Sequence, residues 1–152
     1  MLLDYEWHDL AKIWRTPGAG EAFLAASMTD EFAERMRQRS PQLSAELIRT
    51  VQRRWSDPGT QRAVLALYRA TPESALAEPR DALRALDRPA LVIWGEIDRG
   101  LPVEHAERQR ESFPSAHVVT LPGVGHWPMY EAPAAVRDLA IPFLKERVAQ
   151  TK

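Results

Sequence analysis

The sequence predicts an α/β chain in which a helical segment, residues 1–87, precedes a βαβα segment of a parallel sheet, residues 88–152. Two observations carry that prediction. Before residue 88 the apolar residues recur at helical spacing between Pro and Gly breaks, which is the pattern of short amphipathic helices. From Pro89 the grammar changes to two short, nearly unbroken apolar runs, each ending in a loop and each followed by a helical pattern.

Within the helical segment, Leu3, Trp7, Leu10 and Trp14 recur at spacings of four, three and four, which predicts a first helix reaching back toward Met1. Pro17, Gly18 and Gly20 interrupt it, and Glu21 to Met28 resumes weakly with Phe23 and Leu24. Thr29 and Asp30 suit the start of a third helix, with Phe32 and Met36 inward and Glu31 placed one turn before Arg35. Arg35, Arg37 and Arg39 alternate, so they do not share one helix face and read as solvated surface rather than an anion site. Ser40, Pro41 and Ser44 open the clearest helix, whose stripe is Leu43, Leu47, Ile48, Val51 and Trp55. It stops at Asp57, Pro58 and Gly59. Two more follow, from about Thr60 to Ala70 with Val64, Leu65 and Tyr68 inward, and from Pro79 to Leu86.

In the second segment, the run from Ala90 to Trp94 predicts a strand buried on both faces and ending at Gly95. Pro102 suits the first turn of a helix that turns Val103, Ala106 and Phe113 inward. Val118, Val119 and Leu121 form a second strand that ends at Pro122. A closing helix from Pro133 to Val148 turns Val136, Leu139, Ala140, Phe143 and Leu144 inward, with Pro142 marking a kink or restart. Ligands of open α/β sheets bind beyond the carboxyl ends of the strands. The titratable residues delivered there are Asp98, with Glu96 as its competitor, and His126.

Composition narrows the function. A chain of 152 residues and 17.2 kDa supports one good core, and 20 basic residues against 21 acidic ones leave no cationic stripe for nucleic acid. No apolar run approaches a membrane span, and the N-terminus lacks the basic start and apolar run of a secretory signal, so the expected location is cytoplasmic. The absence of Cys removes disulfides, thiolate metal sites and a Cys nucleophile together. His105 with Glu104 and Glu107 reads as a charged helix face rather than a ligand set, and His8 and His117 read as surface or strand residues, so no metal or cofactor is expected.

A His base activates an oxygen nucleophile by taking its proton, and a carboxylate fixes the ring's tautomer and stabilises the imidazolium. One convergent version of this chemistry runs nucleophile, acid, His along the chain, and Asp98 followed by His126 fits its last two members. The segment WGEID, then GLPVEHAERQRESFP, then LPGVGHWPMYEAP and a terminal helix resembles the C-terminal part of an α/β-hydrolase-fold enzyme, in the branch of epoxide hydrolases, haloalkane dehalogenases and related esterases. The resemblance implies an incomplete α/β-hydrolase fold, with Asp98 as the acid and His126 as the base. It implies that the helical segment is the lid, with the face around Trp7, Trp14, Phe23, Trp55 and Tyr68 roofing an apolar pocket and Trp127 walling it. Trp14, Trp55 and Trp127 are thus the candidate contacts to a small apolar substrate, whose ester, epoxide or carbon–halogen bond would be cleaved through a covalent intermediate without a cofactor.

The departure from the family lies in the nucleophile. None of the seven serines stands on a Gly-any-Ser-any-Gly elbow, and Asp57 has neither the strand before it nor the helix directly after that an elbow needs. The expected nucleophile would come from an N-terminal half or a partner chain. The alternative is a non-catalytic remnant that binds an apolar ligand or a partner subunit.

Overall fold

The computed structural model describes residues 7–41, 43–72, 79–86 and 88–150. Leu3 of the expected first helix, Ser74 and residue 87 at the expected segment boundary lie outside the described residues. The described residues divide into two compact units, one through Pro72 and one from Pro79 onward. Each has its own contacts.

The first unit holds five helices: α1 (Asp9–Arg15), α2 (Ala19–Ala26), α3 (Asp30–Arg39), α4 (Ala45–Trp55) and α5 (Pro58–Ala70). The first helix starts at Asp9 because His8 is its N-cap, with Nδ1 accepting from the Ala11 amide at 3.2 Å, so Trp7 precedes the helix. Thr29, Ser44 and Asp57 cap α3, α4 and α5 through their side-chain oxygens, and Pro58 fills the first turn of α5. The five residues WSDPG therefore end one helix and start the next. A helix thus follows Asp57 directly, two residues earlier than the expected start at Thr60, because Asp57 caps it and Pro58 fits its first turn. Gln52 on α4 donates to the carbonyls of Ser27 (3.1 Å) and Thr29 (3.0 Å), tying α4 to the α2–α3 turn.

Three buried residues, Trp14, Leu24 and Leu65, form the core of this unit, with Leu10, Phe23, Trp55, Val64 and Tyr68 packed against them. Trp14 meets Tyr68, Trp55 and Phe23 edge-on at centroid distances of 4.7, 6.1 and 6.2 Å, the geometry that aromatic quadrupoles favour. Polar clips close the same bundle. Arg15 donates to the carbonyls of Tyr68 and Thr71 at the C-terminus of α5, where helix carbonyls lack partners of their own. Arg69 donates to both carboxylate oxygens of Glu21, at 2.9 and 2.8 Å, while Glu21 also accepts from the Gly18 amide at 2.8 Å. Glu21 thus caps the start of α2 and is gripped from α5.

The second unit contains α6 (Pro79–Leu86), β1 (Leu91–Gly95), α7 (Glu104–Arg108) with a 3-10 turn at Gln109–Glu111, β2 (His117–Leu121), α8 (Pro128–Glu131) and α9 (Pro133–Gln150). The strands pair in parallel, with Leu91 opposite His117 and Gly95 opposite Leu121, as the α7 crossover between them allows. Among the described residues the sheet has two strands, so each has one hydrogen-bonded neighbour. This limits burial: Leu91, Val92, Ile93 and Trp94 are half-buried, where the apolar run alone predicts cover on both faces. Leu144 differs from its expected inward place in the same way. It is 59% exposed, as Ile141 and Val148 are exposed, on a helix of 18 residues that packs against the five-residue strand β1. The helix runs as one element through Pro142. The helix after Pro102 begins two residues later than its Pro suggests, since Val103 is the N-cap of α7, and the short α8 has no counterpart in the apolar pattern.

The two strands end side by side and their loops are stitched together. Glu96 N donates to Leu121 O (3.1 Å) and Ile97 N to Val124 O (3.0 Å). This approach needs Gly95, because a Cβ there would sit 2.0 Å from the Gly125 carbonyl oxygen and 2.5 Å from that of Val124. Both are backbone atoms and cannot rotate away. No described helix is long and apolar enough to cross a membrane.

Two stability predictions follow from these contacts. Gly95→Ala should lower the urea-derived stability of the chain by about 1–3 kcal/mol or more, the usual cost of overpacking a closed site; an unchanged urea midpoint would show that the two loops can part freely. The Arg69 hydrogen bonds hold the Glu21 carboxyl at about 2 instead of the ordinary 4.5. A folded value below the unfolded one stabilises above the unfolded value and is lost as pH falls toward the folded value. The gap in thermal midpoint between the parent chain and Glu21→Gln should therefore be widest above pH 4.5 and close as pH falls toward about 2. A gap independent of pH would assign the effect to shape rather than charge.

Candidate active site

The loop after β1 presents Asp98 and the loop after β2 presents His126. Their side chains meet, with Asp98 Oδ2 2.8 Å from His126 Nδ1. The acid is the drier partner: the Asp98 side chain is 6% exposed and that of His126 40%. A carboxylate taken that far out of water is stable only if its lone pairs are occupied. Asp98 meets that condition, because Oδ1 accepts from the amides of Gly100 (2.7 Å) and Leu101 (2.9 Å) while Oδ2 faces the imidazole. The loop that supplies those amides is held in turn by the Trp94 indole, which donates to Leu101 O at 3.1 Å.

An ionised carboxylate only accepts hydrogen bonds, so the contact makes Nδ1 the protonated nitrogen and leaves Nε2 with its lone pair. Among the described residues Nε2 has no hydrogen-bond partner, and the side chain is part-exposed to solvent. This arrangement can accept a proton and stabilise the resulting charge.

Glu96, the competitor for the acid position, does something else. Its Oε2 accepts from the Gly123 amide at 3.1 Å, which ties it to the turn after β2 rather than to the imidazole. A further carboxylate that the sequence pattern does not single out lies close to His126 in the chain's fold. Glu131, on α8, accepts from Gly125 N through Oε2 (2.9 Å) and from Trp127 N through Oε1 (3.0 Å). The only advance signal was its position six residues after Gly125, within reach of a loop bent back by Pro128.

The three Trp residues expected at a substrate surface have different surroundings. Trp127 is 41% exposed and stands edge-on to His126 at 5.0 Å, with the exposed Met129 and Tyr130 beside it. Trp55 is half-buried against Trp14 and Phe32. Trp14 is only 8% exposed, and three rings enclose it in the core of the helical unit, so its faces are used in packing.

The described serines stand at helix caps and turns. Ser44 caps α4, Ser27 is buried and donates to Phe23 O, Ser40 and Ser56 follow α3 and α4, Ser112 is buried after the 3-10 turn, and Ser115 precedes β2. Among the described residues none stands between a strand and the helix that follows it. Asp57 is occupied as the cap of α5, accepting from Thr60 N at 2.6 Å.

Comparison with known proteins agrees with this architecture. The AB hydrolase superfamily protein YfhM of Bacillus subtilis is 32% identical over 93 residues, covering 61% of this chain and 32% of its own length. The epoxide hydrolase EphH of Mycobacterium tuberculosis is 40% identical over 60 residues, or 38% of this chain and 28% of EphH. The chain thus spans less than a third of the length of either relative. A crystal structure of a protein assigned as a lipase, lip1 of Acinetobacter baumannii AYE, superposes with a TM-score of 0.57 at 22% identity, covering 92% of this chain and 44% of lip1, which is a likeness of fold. The sequence model of the alpha/beta hydrolase family matches residues 3–139, through the helical unit and both strands to α9, and on that match the chain belongs to the alpha/beta hydrolase family.

Proposed function

We propose that this chain carries the acid and the base of a hydrolase that cleaves an ester, an epoxide or a similar small apolar substrate through a covalent intermediate, its nucleophile coming from outside the 152 residues. The observation that carries the reading is the Asp98–His126 contact, with the carboxylate saturated and the second ring nitrogen open. His126 takes a proton through Nε2 from the water that resolves the intermediate. With a Ser nucleophile it first takes the hydroxyl proton and hands it to the leaving alkoxide before that second step, and with an Asp nucleophile the water is its one proton source. Asp98 keeps the proton of the neutral ring on Nδ1 and offsets the charge of the imidazolium. Trp127 supports the apolar substrate class, because an exposed indole beside the base offers a flat, dry wall to an uncharged group. In this reading the helical unit is the lid. Trp14 holds its helices together.

The alternative, a non-catalytic remnant that binds an apolar ligand or a partner subunit, is favoured by one observation, the employment of every described Ser in caps and turns. One reconstitution separates the two. Joined or mixed with an N-terminal half that carries a nucleophile elbow, the chain should hydrolyse a short chromogenic ester, and His126→Ala should abolish turnover. Asp98→Asn should lower kcat by about ten-thousand-fold by allowing the wrong tautomer. Retained turnover in His126→Ala would sink the assigned role, and a folded complex inert toward esters, epoxides and haloalkanes would favour the binding reading.

A further inference from the structure

We infer that Glu131 is the positioning residue of the base: its carboxylate bridges the two backbone N–H groups that flank His126 and so holds the imidazole against Asp98. The geometry is a closed ring. Oε2 takes the Gly125 amide at 2.9 Å and Oε1 the Trp127 amide at 3.0 Å, while the amides of Tyr130 and Glu131 donate back to Trp127 O at 2.8 and 2.9 Å. Bonds to an ionised acceptor are shorter and stronger than neutral ones, so this one side chain fixes the main chain on both sides of residue 126.

The site has a specific need for such a clamp. Asp98 is held by burial and by two amides of its own loop, but the His126 side chain is 40% exposed and is held less firmly by packing. Each half of the pair is thus set by a carboxylate accepting two backbone amides, Asp98 for its own loop and Glu131 for the loop of the base. Gly125 fits the same account. A Cβ at that position would lie 3.1 Å from both Glu131 oxygens, so a side chain there would ask the carboxylate to give by a few tenths of an ångström. An amide in place of the carboxylate fails for a simpler reason, since its NH2 group would face one of the N–H donors.

The inference rests on the acid–base reading of Asp98 and His126, and NMR of the full chain tests the two separately. The hydrogen-bonded Nδ1–H of His126 should appear as a downfield imidazole proton in the parent chain. In Glu131→Gln that proton should be lost or should exchange with water at least about tenfold faster, the scale of one charge-assisted hydrogen bond, while the amides of β1 and β2 keep their shifts. Glu96→Gln is the control, because Glu96 ties the neighbouring Gly123 of the same loop without flanking the base. An unchanged exchange rate in E131Q, or an equal loss in E96Q, would overturn the positioning role and leave the pair intact. Absence of the proton from the parent chain would remove the pair itself, and the inference with it. If E131Q loses the strand amides, E131D decides: it keeps the charge but is too short to span both donors, so faster exchange supports the clamp and the parent rate overturns it.

Discussion

Two strands running in parallel end at the same level, and everything at the candidate site depends on their loops being bonded to each other at that point. Gly95 lets the backbone of the second loop come within contact distance of the first, and Glu96 and Ile97 donate across the gap to Leu121 and Val124. With that distance fixed, a side chain three residues beyond β1 and one five residues beyond β2 can meet. Parallel pairing delivers both to the same edge of the sheet, which a hairpin of the same length would not do.

The two units are stabilised by different means. In the helical unit the aromatic rings around Trp14 form a closed core, and charged groups finish the exposed helix ends, with Arg15 on the carbonyls of α5 and Arg69 on Glu21. The strand unit is less self-sufficient in apolar cover. The four apolar residues of β1 are half-buried, and Ile141, Leu144 and Val148 of α9 are exposed. Hydrogen bonds are correspondingly prominent there, since backbone and carboxylate contacts, rather than packing, define both loops.

Much of this was legible in the amino-acid pattern, and what was not has a physical reason. The helices of the first unit follow from three- and four-residue spacing and from Thr29, Ser44 and Asp57, whose oxygens cap amides three positions on. His8 reads in the sequence as a surface or strand residue, since a His gives little signal of a cap; its Nδ1 caps here and places the start of α1 at Asp9. Asp98 and Glu96 looked alike in sequence, both being acids just past a strand. Their difference is one of reach and direction, with Asp98 folding back over the amides of its own loop and Glu96 extending to Gly123. Leu144 was misplaced because helical periodicity marks an apolar stripe but not how much of it the neighbouring sheet is wide enough to cover.

Glu131 is the instructive omission. Pattern reading finds carboxylates that face other side chains, because charge and spacing leave a trace in the sequence, whereas a carboxylate whose partners are backbone amides leaves almost none: every residue except Pro offers the same N–H. What makes the contact possible is the shape of the chain between Gly125 and Glu131, and that shape depends on Pro128 starting α8 one residue past Trp127. The same logic explains the asymmetry of the pair. In the proposed roles the base must remain accessible to exchange protons, so burial cannot immobilise it and its orientation is imposed through the main chain. The acid has no such duty and can be dry, provided each oxygen is occupied. Exposure of 40% for one side chain and 6% for the other, with backbone amides satisfying the carboxylate behind each, is the arrangement those two requirements dictate together.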